Sequence, residues 1–227
     1  MHLKHLMGIL GLLWLPGNPG PGANGDQYRL EQLQKKIRTV SGKLMDTQEI
    51  SYIYGGSLPG GVGRLCEECT SCLKLKKPKP KKRMQSCPDC RFCGLDCSHF
   101  TKLVFEKAGL FAPYLTTHQM LNLKPKLLFQ NYQLLPVRHL DLARSGDLLV
   151  YKGHVVLLEK KTSGNKGDII HATGGKAVKG PGQGIQRETN VNLNQFRGPL
   201  RRILRHRRLF IAADLKPAMN DRKSRED

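Results

Sequence analysis

Leu30, Leu33, Ile37, Val40 and Leu44 recur at three- and four-residue intervals among Lys, Arg and Gln. That period predicts an amphipathic helix over 26–48 with one stripe packed on a core. A second period, Phe100, Leu103, Val104 and Ala108, stops at Gly109 and predicts a helix whose first turn holds Cys97 and whose N-cap region holds Asp96. Between the two, 51–56 reads as a glycine-rich loop, and 65–93 is dense in cysteine and lysine with no hydrophobic period. Residues 114–138 read as loop with a short helix. Branched or leucine-rich runs then predict strands at 147–151, 154–159, 168–172 and 207–213, with a hairpin turn at 163–167. Helices first and neighbouring strands after them predict an α+β fold, N-terminal helices packing on an antiparallel sheet.

A chain of 227 residues suits one domain with a proper core and decorations. Its first 25 residues run from a basic head, Met1 to His5, through an apolar stretch, Leu6 to Leu15, to small residues ending at Gly25. This order predicts a signal peptide cut after Gly25, with a retained membrane anchor as the alternative; the apolar stretch is too short to span a bilayer as a mature helix. The tail 215–227 is predicted to be disordered. The core domain is therefore 49–214, with 65–93 inserted in it.

Lys and Arg number 38 against 18 Asp and Glu, a net charge of +20 that calls for an anionic partner. In an exported protein that means phosphate- or carboxylate-bearing envelope polymers or lipid head groups at a membrane surface. Nucleic acid fits less well, because the arginines at 201–208 lack interleaved aromatics for stacking. The run Lys74 to Arg83, broken by Pro78 and Pro80, predicts an exposed loop.

The seven cysteines set up competing readings. Cys66, Cys69 and Cys72 repeat a two-residue spacing, as do Cys87, Cys90 and Cys93. Cys66, Cys69, Cys87 and Cys90 have zinc-ribbon spacing, and Cys87, Cys90, Cys93 and Cys97 have the spacing of a four-iron cluster run, with Ser98 where that run has proline. In an oxidising compartment, six cysteines plus one is instead the parity of three disulfides and a free thiol, which is preferred here, with no cofactor. Sequence does not choose among the pairings; nesting the two triplets around the Lys/Pro loop is the simplest.

Cys97 at a helix start is the candidate nucleophile, its thiol expected to be acidified by the helix dipole. Acyl transfer also needs a base, a group fixing the base's tautomer, and donors for the oxyanion. His154 and His171 each sit in an apolar strand and can meet at one helix end. Of the other histidines, His99 is expected to face solvent, and His118, His139 and His206 to lack partners. Five blocks, Tyr52-Ile53-Tyr54-Gly55-Gly56, Asp96-Cys97-Ser98, Ser145-Gly146-Asp147-Leu148, Gly153-His154-Val155 and Ile170-His171-Ala172, stand in the order of the NlpC-type cell-wall cysteine peptidases, which the chain resembles over 49–213. The resemblance implies a papain-like domain cleaving peptidoglycan stem peptides, with Cys97 as nucleophile, His154 as base, His171 as orienting group and Tyr52 at the oxyanion. Tyr114 stands where that family often has an arginine after proline, with Gln119 at the matching distance of a family glutamine. The alternatives left open are an amidase or acyltransferase on the same fold, and a non-catalytic basic protein holding zinc or an iron–sulfur cluster.

Overall fold

The computed structural model describes residues 21–46, 50–59, 64–174 and 184–211. Of the expected signal peptide 1–25, residues 1–20 lie outside the described residues, as does the tail 215–227, while 21–25 form the start of the first helix and the expected cut after Gly25 falls within it. Helix α1 (Pro21–Asp46) carries the first stripe, burying Leu30, Ile37 and Leu44 at seven-residue spacing against the core. Helix α4 (Cys97–Lys107) carries the second, with Phe100, Val104 and Phe105 buried. Both lie on one face of a six-stranded antiparallel sheet, beside α5 (Thr117–Asn122) and α6 (Pro125–Tyr132). The strands are β3 (Leu134–Val137), β4 (Leu148–Tyr151), β5 (His154–Lys161), β6 (Lys166–Ala172), β7 (Ile185–Asn192) and β8 (Arg202–His206), in spatial order β3-β8-β4-β5-β6-β7. Alternation along β4 and β5 divides the sheet's faces. Val150, Val155 and Leu157 join the helices, while Leu149, Tyr151, Val156 and Leu158 pack under the 193–200 segment through Leu193, Phe196 and Leu200. The fold is α+β with an antiparallel sheet.

Several expectations need correction. The last strand is 202–206, not 207–213; Arg207–Leu209 form a 3-10 turn, and 212 and 213 lie outside the described residues. The arginines of that strand hide it in the sequence. Arg205 is buried, its Nε 2.7 Å from Asp147 Oδ1, and Arg202 Nη1 donates to the carbonyls of Met120, Leu121 and Leu123 at the end of α5. Strand β7 has no counterpart in the sequence reading, because as an edge strand it keeps polar side chains at most positions. Residues 114–138 hold two helices and β3 rather than loop and one short helix.

The cysteine-rich insertion is also more regular than its sequence suggests. It contains α2 (Arg64–Lys76), α3 (Arg83–Ser86) and two 3-10 turns, so that Lys74 and Lys76 belong to a helix rather than to a loop. Its hydrophobic period is made of cysteines: Cys66, Cys69 and Cys72 line one face of α2 and pair with Cys93, Cys90 and Cys87. The pairing is nested, with Cα–Cα distances of 5.2, 4.8 and 5.9 Å. With these six oxidised, Cys66, Cys69, Cys87 and Cys90 offer no thiolates to a metal, and among the described residues Cys97 is the free cysteine. Three disulfides belong to an oxidising environment, and among the described residues no helix is long and apolar enough to cross a membrane.

Candidate active site

The insertion delivers the chain to α4. After Cys93, β2 (Gly94–Leu95) pairs antiparallel with β1 (Ser57–Leu58), and Tyr52 bridges Leu95 from the other side. Glycine is required where these backbones meet. A Cβ on Gly94 would lie 2.4 Å from the Ser51 carbonyl oxygen, and one on Gly56 would lie 2.4 Å from that of Gly94. Ile53, next to Tyr52, packs among Cys69, Cys87, Cys90 and Cys93, so the disulfide module supports the Tyr52 loop directly.

Asp96 caps α4, its Oδ1 accepting from the His99 N–H at 2.8 Å and from the Ser98 hydroxyl at 2.8 Å. His99 is not solvent-facing: it stacks on Tyr114 at 3.8 Å between centroids and lies with Nδ1 3.1 Å from Asp96. Tyr114 thus closes over the cap, its hydroxyl 3.3 Å from that of Ser98. Gln119, by contrast, completes the capping box of α5 with Thr116, which is a structural duty.

Cys97 is buried at 5 % exposure. Backbone N–H groups of Val155, Ser98 and Cys97 itself act on its sulfur, yet burial and the neighbouring Asp96 charge outweigh them and push the thiol up to about 12. The expected acidification by the helix start is therefore reversed in the resting site. Val155 belongs to β5, whose first residue is His154. The His154 Nε2 lies 2.7 Å from Nδ1 of His171 on β6, and Phe196 packs against both rings. Burial holds both imidazoles down to about 3, with the His171 and Arg197 charges adding to the effect on His154 and Arg197 to that on His171. Each ring is thus neutral near pH 7.

Tyr52 is half-buried, and Gly174 lies so close to its ring that a Cβ there would come within 2.2 Å. Burial, with Cys97 and Asp96 nearby, raises the Tyr52 hydroxyl well above its ordinary value, and Arg197 opposes the rise. The phenol stays a hydrogen-bond donor.

No protein-family model, curated protein or solved structure significantly matches this chain. The site is therefore read from its own residues. The structure gathers Tyr52, Cys97, His154 and His171 from four separate segments, and adds three residues that the sequence reading missed. Glu188 on β7 puts Oε1 3.0 Å from the outer nitrogen of His171. Phe196 and Arg197 follow β7; Arg197 has a left-handed φ of 53°, stands exposed, and places its guanidinium 5.6 Å from the Phe196 ring centroid. Charged residues on a polar edge strand and in a turn give no sequence signal that separates them from solvated surface. Elsewhere, His206 is not without partners: it is buried, with Nε2 3.1 Å from the Phe111 carbonyl oxygen and Nδ1 accepting from the Arg208 N–H.

Proposed function

We propose that this protein is a cysteine hydrolase of papain-like architecture that cleaves amide bonds in peptidoglycan stem peptides after export to the cell envelope. The observation that carries the reading is one free cysteine in the first turn of α4, its sulfur served by three backbone N–H groups and set against the strand that begins with the histidine-paired His154. In this scheme the Cys97 thiol passes its proton to His154 as the sulfur attacks the carbonyl. Burial penalises either charge alone, whereas the transfer creates thiolate and imidazolium together, and their attraction opposes that penalty. The tetrahedral oxyanion takes donors from the α4 N-terminus and the Tyr52 hydroxyl. His154 then returns the proton to the leaving amine, and water hydrolyses the thioester with His154 again as base.

Substrate class follows from charge and shape. Arg197, beside the Phe196 ring that packs on the histidine pair, suits a carboxylate of the kind that stem peptides carry. The exposed Lys77, Lys79, Lys81 and Lys82 on the disulfide module suit an anionic envelope polymer beside the site. An amidase or acyltransferase reading uses the same residues and differs only in the acceptor and the bond. Incubating the mature protein with defined muropeptides, and reading products by mass, tests the proposal. Cleavage that is abolished in Cys97→Ala and His154→Ala supports it; cleavage by Cys97→Ala overturns it.

A further inference from the structure

His171 is fully buried and makes two side-chain hydrogen bonds, one through each ring nitrogen. Its Nε2 faces Glu188 Oε1 at 3.0 Å and its Nδ1 faces His154 Nε2 at 2.7 Å. The β6–β7 register explains the first contact. Gln186 is opposite His171 and Glu188 is opposite Ile169, which makes Glu188 the diagonal neighbour of His171 across the pair.

The protons in this chain are not interchangeable. A carboxylate only accepts, so the ring facing it must present an N–H, and a neutral imidazole has one N–H and one lone pair. His171 therefore carries its proton on Nε2 and offers the lone pair of Nδ1 to His154. His154 in turn must donate from Nε2, which leaves its own lone pair on Nδ1. Among the described residues Nδ1 of His154 has no hydrogen-bond partner, and the thiol of Cys97 lies against the backbone of the very next residue.

We infer that Glu188 is a positioning residue that fixes the tautomers of His171 and His154 in series, and so makes His154 Nδ1 the basic atom that receives the Cys97 proton. The inference rests on the hydrolase reading for the purpose of the chain, but not for its protonation pattern. Without Glu188, the buried Nε2–H of His171 loses its acceptor. Moving that proton to Nδ1 turns the His171–His154 bond around, puts the His154 proton on Nδ1, and removes the base.

The test is nitrogen-15 NMR of histidine-labelled full-length protein near pH 7, with His154 and His171 assigned through His154→Gln and His171→Gln, in wild type, Glu188→Gln and Glu188→Ala. Glu188 lies on the exposed edge strand, with a side chain 36 % exposed, so truncation there leaves the core packing intact. Wild type is expected to show both rings protonated at Nε2; Glu188→Ala is expected to move both protons to Nδ1, and Glu188→Gln, which keeps a carbonyl acceptor, to retain the wild-type pattern. Turnover should fall in Glu188→Ala through kcat, toward the roughly 10⁴-fold loss of a wrong-tautomer base, and recover in Glu188→Gln. Wild-type rings protonated at Nδ1, or unchanged tautomers in Glu188→Ala, overturn the inference. Those outcomes are separate from failure of the hydrolase reading, which would appear as absent or Cys97-independent turnover whatever the tautomers.

Discussion

In the proposed hydrolase Cys97 and His154 both start neutral, and this has a measurable consequence. Since the thiol is raised to about 12 and the imidazole lowered to about 3, no stable thiolate–imidazolium pair forms in the empty site. Iodoacetamide alkylation of Cys97 is therefore expected to climb continuously with pH, without the acid-range plateau that a preformed ion pair gives; a plateau below about pH 6 contradicts this. His206 makes a second residue-scale case. The unfolded chain protonates this histidine below its ordinary value of 6.5, whereas the folded site, desolvated and near Arg208 and Arg207, holds it to about 4. Stability is thus complete above 6.5 and is lost as pH falls through the window toward 4. His154 and His171 act in the same direction. Thermal melts should show Tm dropping across that window in wild type and dropping less in His206→Gln. In the sequence, Cys97, His154 and His171 stood out as candidates because acyl transfer restricts which residue types can serve, and Tyr52 stood out through its motif in the family resemblance. Glu188 and Arg197 were not, since an ionic side chain in a polar run looks like solvated surface until the register places it. The acidified thiol was misread because the helix start is visible in sequence and the burial is not.

Helices α1 and α4 were legible because an apolar stripe at helical period is both a local and a tertiary signal. Strand β8 was misplaced by a few residues because its arginines serve the interior. In the insertion, the cysteines act as the hydrophobic face of α2, so a period counted in aliphatic residues finds nothing. Its dependence on disulfides gives an element-scale prediction. Reduction should strip hydrogen-exchange protection from 64–93 while β4, β5 and β6 keep theirs; simultaneous loss in the sheet contradicts it. The inner Cys72–Cys87 link alone closes a loop of 15 residues, worth about 3 kcal/mol in the chain-entropy view. The glycine crossing upstream of Cys97 is the other vulnerable element. Gly94→Ala forces a Cβ to 2.4 Å from the Ser51 oxygen, a contact that only backbone movement relieves, and to 2.8 Å from the Ile53 side chain. Urea denaturation should show a loss of about 1–3 kcal/mol, with turnover reduced further because Tyr52 and Cys97 flank the displaced strand.

At the scale of the whole molecule, charge and chemistry occupy different places. Lys76 is tied to the Ser86 carbonyl at 2.9 Å, but the side chains of Lys77, Lys79, Lys81 and Lys82 are exposed, with no partner among the described residues, on the module that leads into α4. Replacing those four by Gln is expected to weaken sedimentation with sacculi at low salt, converge with wild type as salt screens the charges over about 8–10 Å, and leave turnover of small muropeptides unchanged. Lost soluble-substrate turnover would instead make the module part of the active site. The net charge was plain in the sequence; which cations are spoken for was not, because Arg202 and Arg205 are consumed by the fold. The measurement that bears most directly on the central claim is alkylation of the native, unreduced protein followed by assay and peptide mapping. One cysteine, Cys97, should be labelled, with muropeptide cleavage lost in step with labelling, and full cleavage after complete modification of Cys97 would contradict the account.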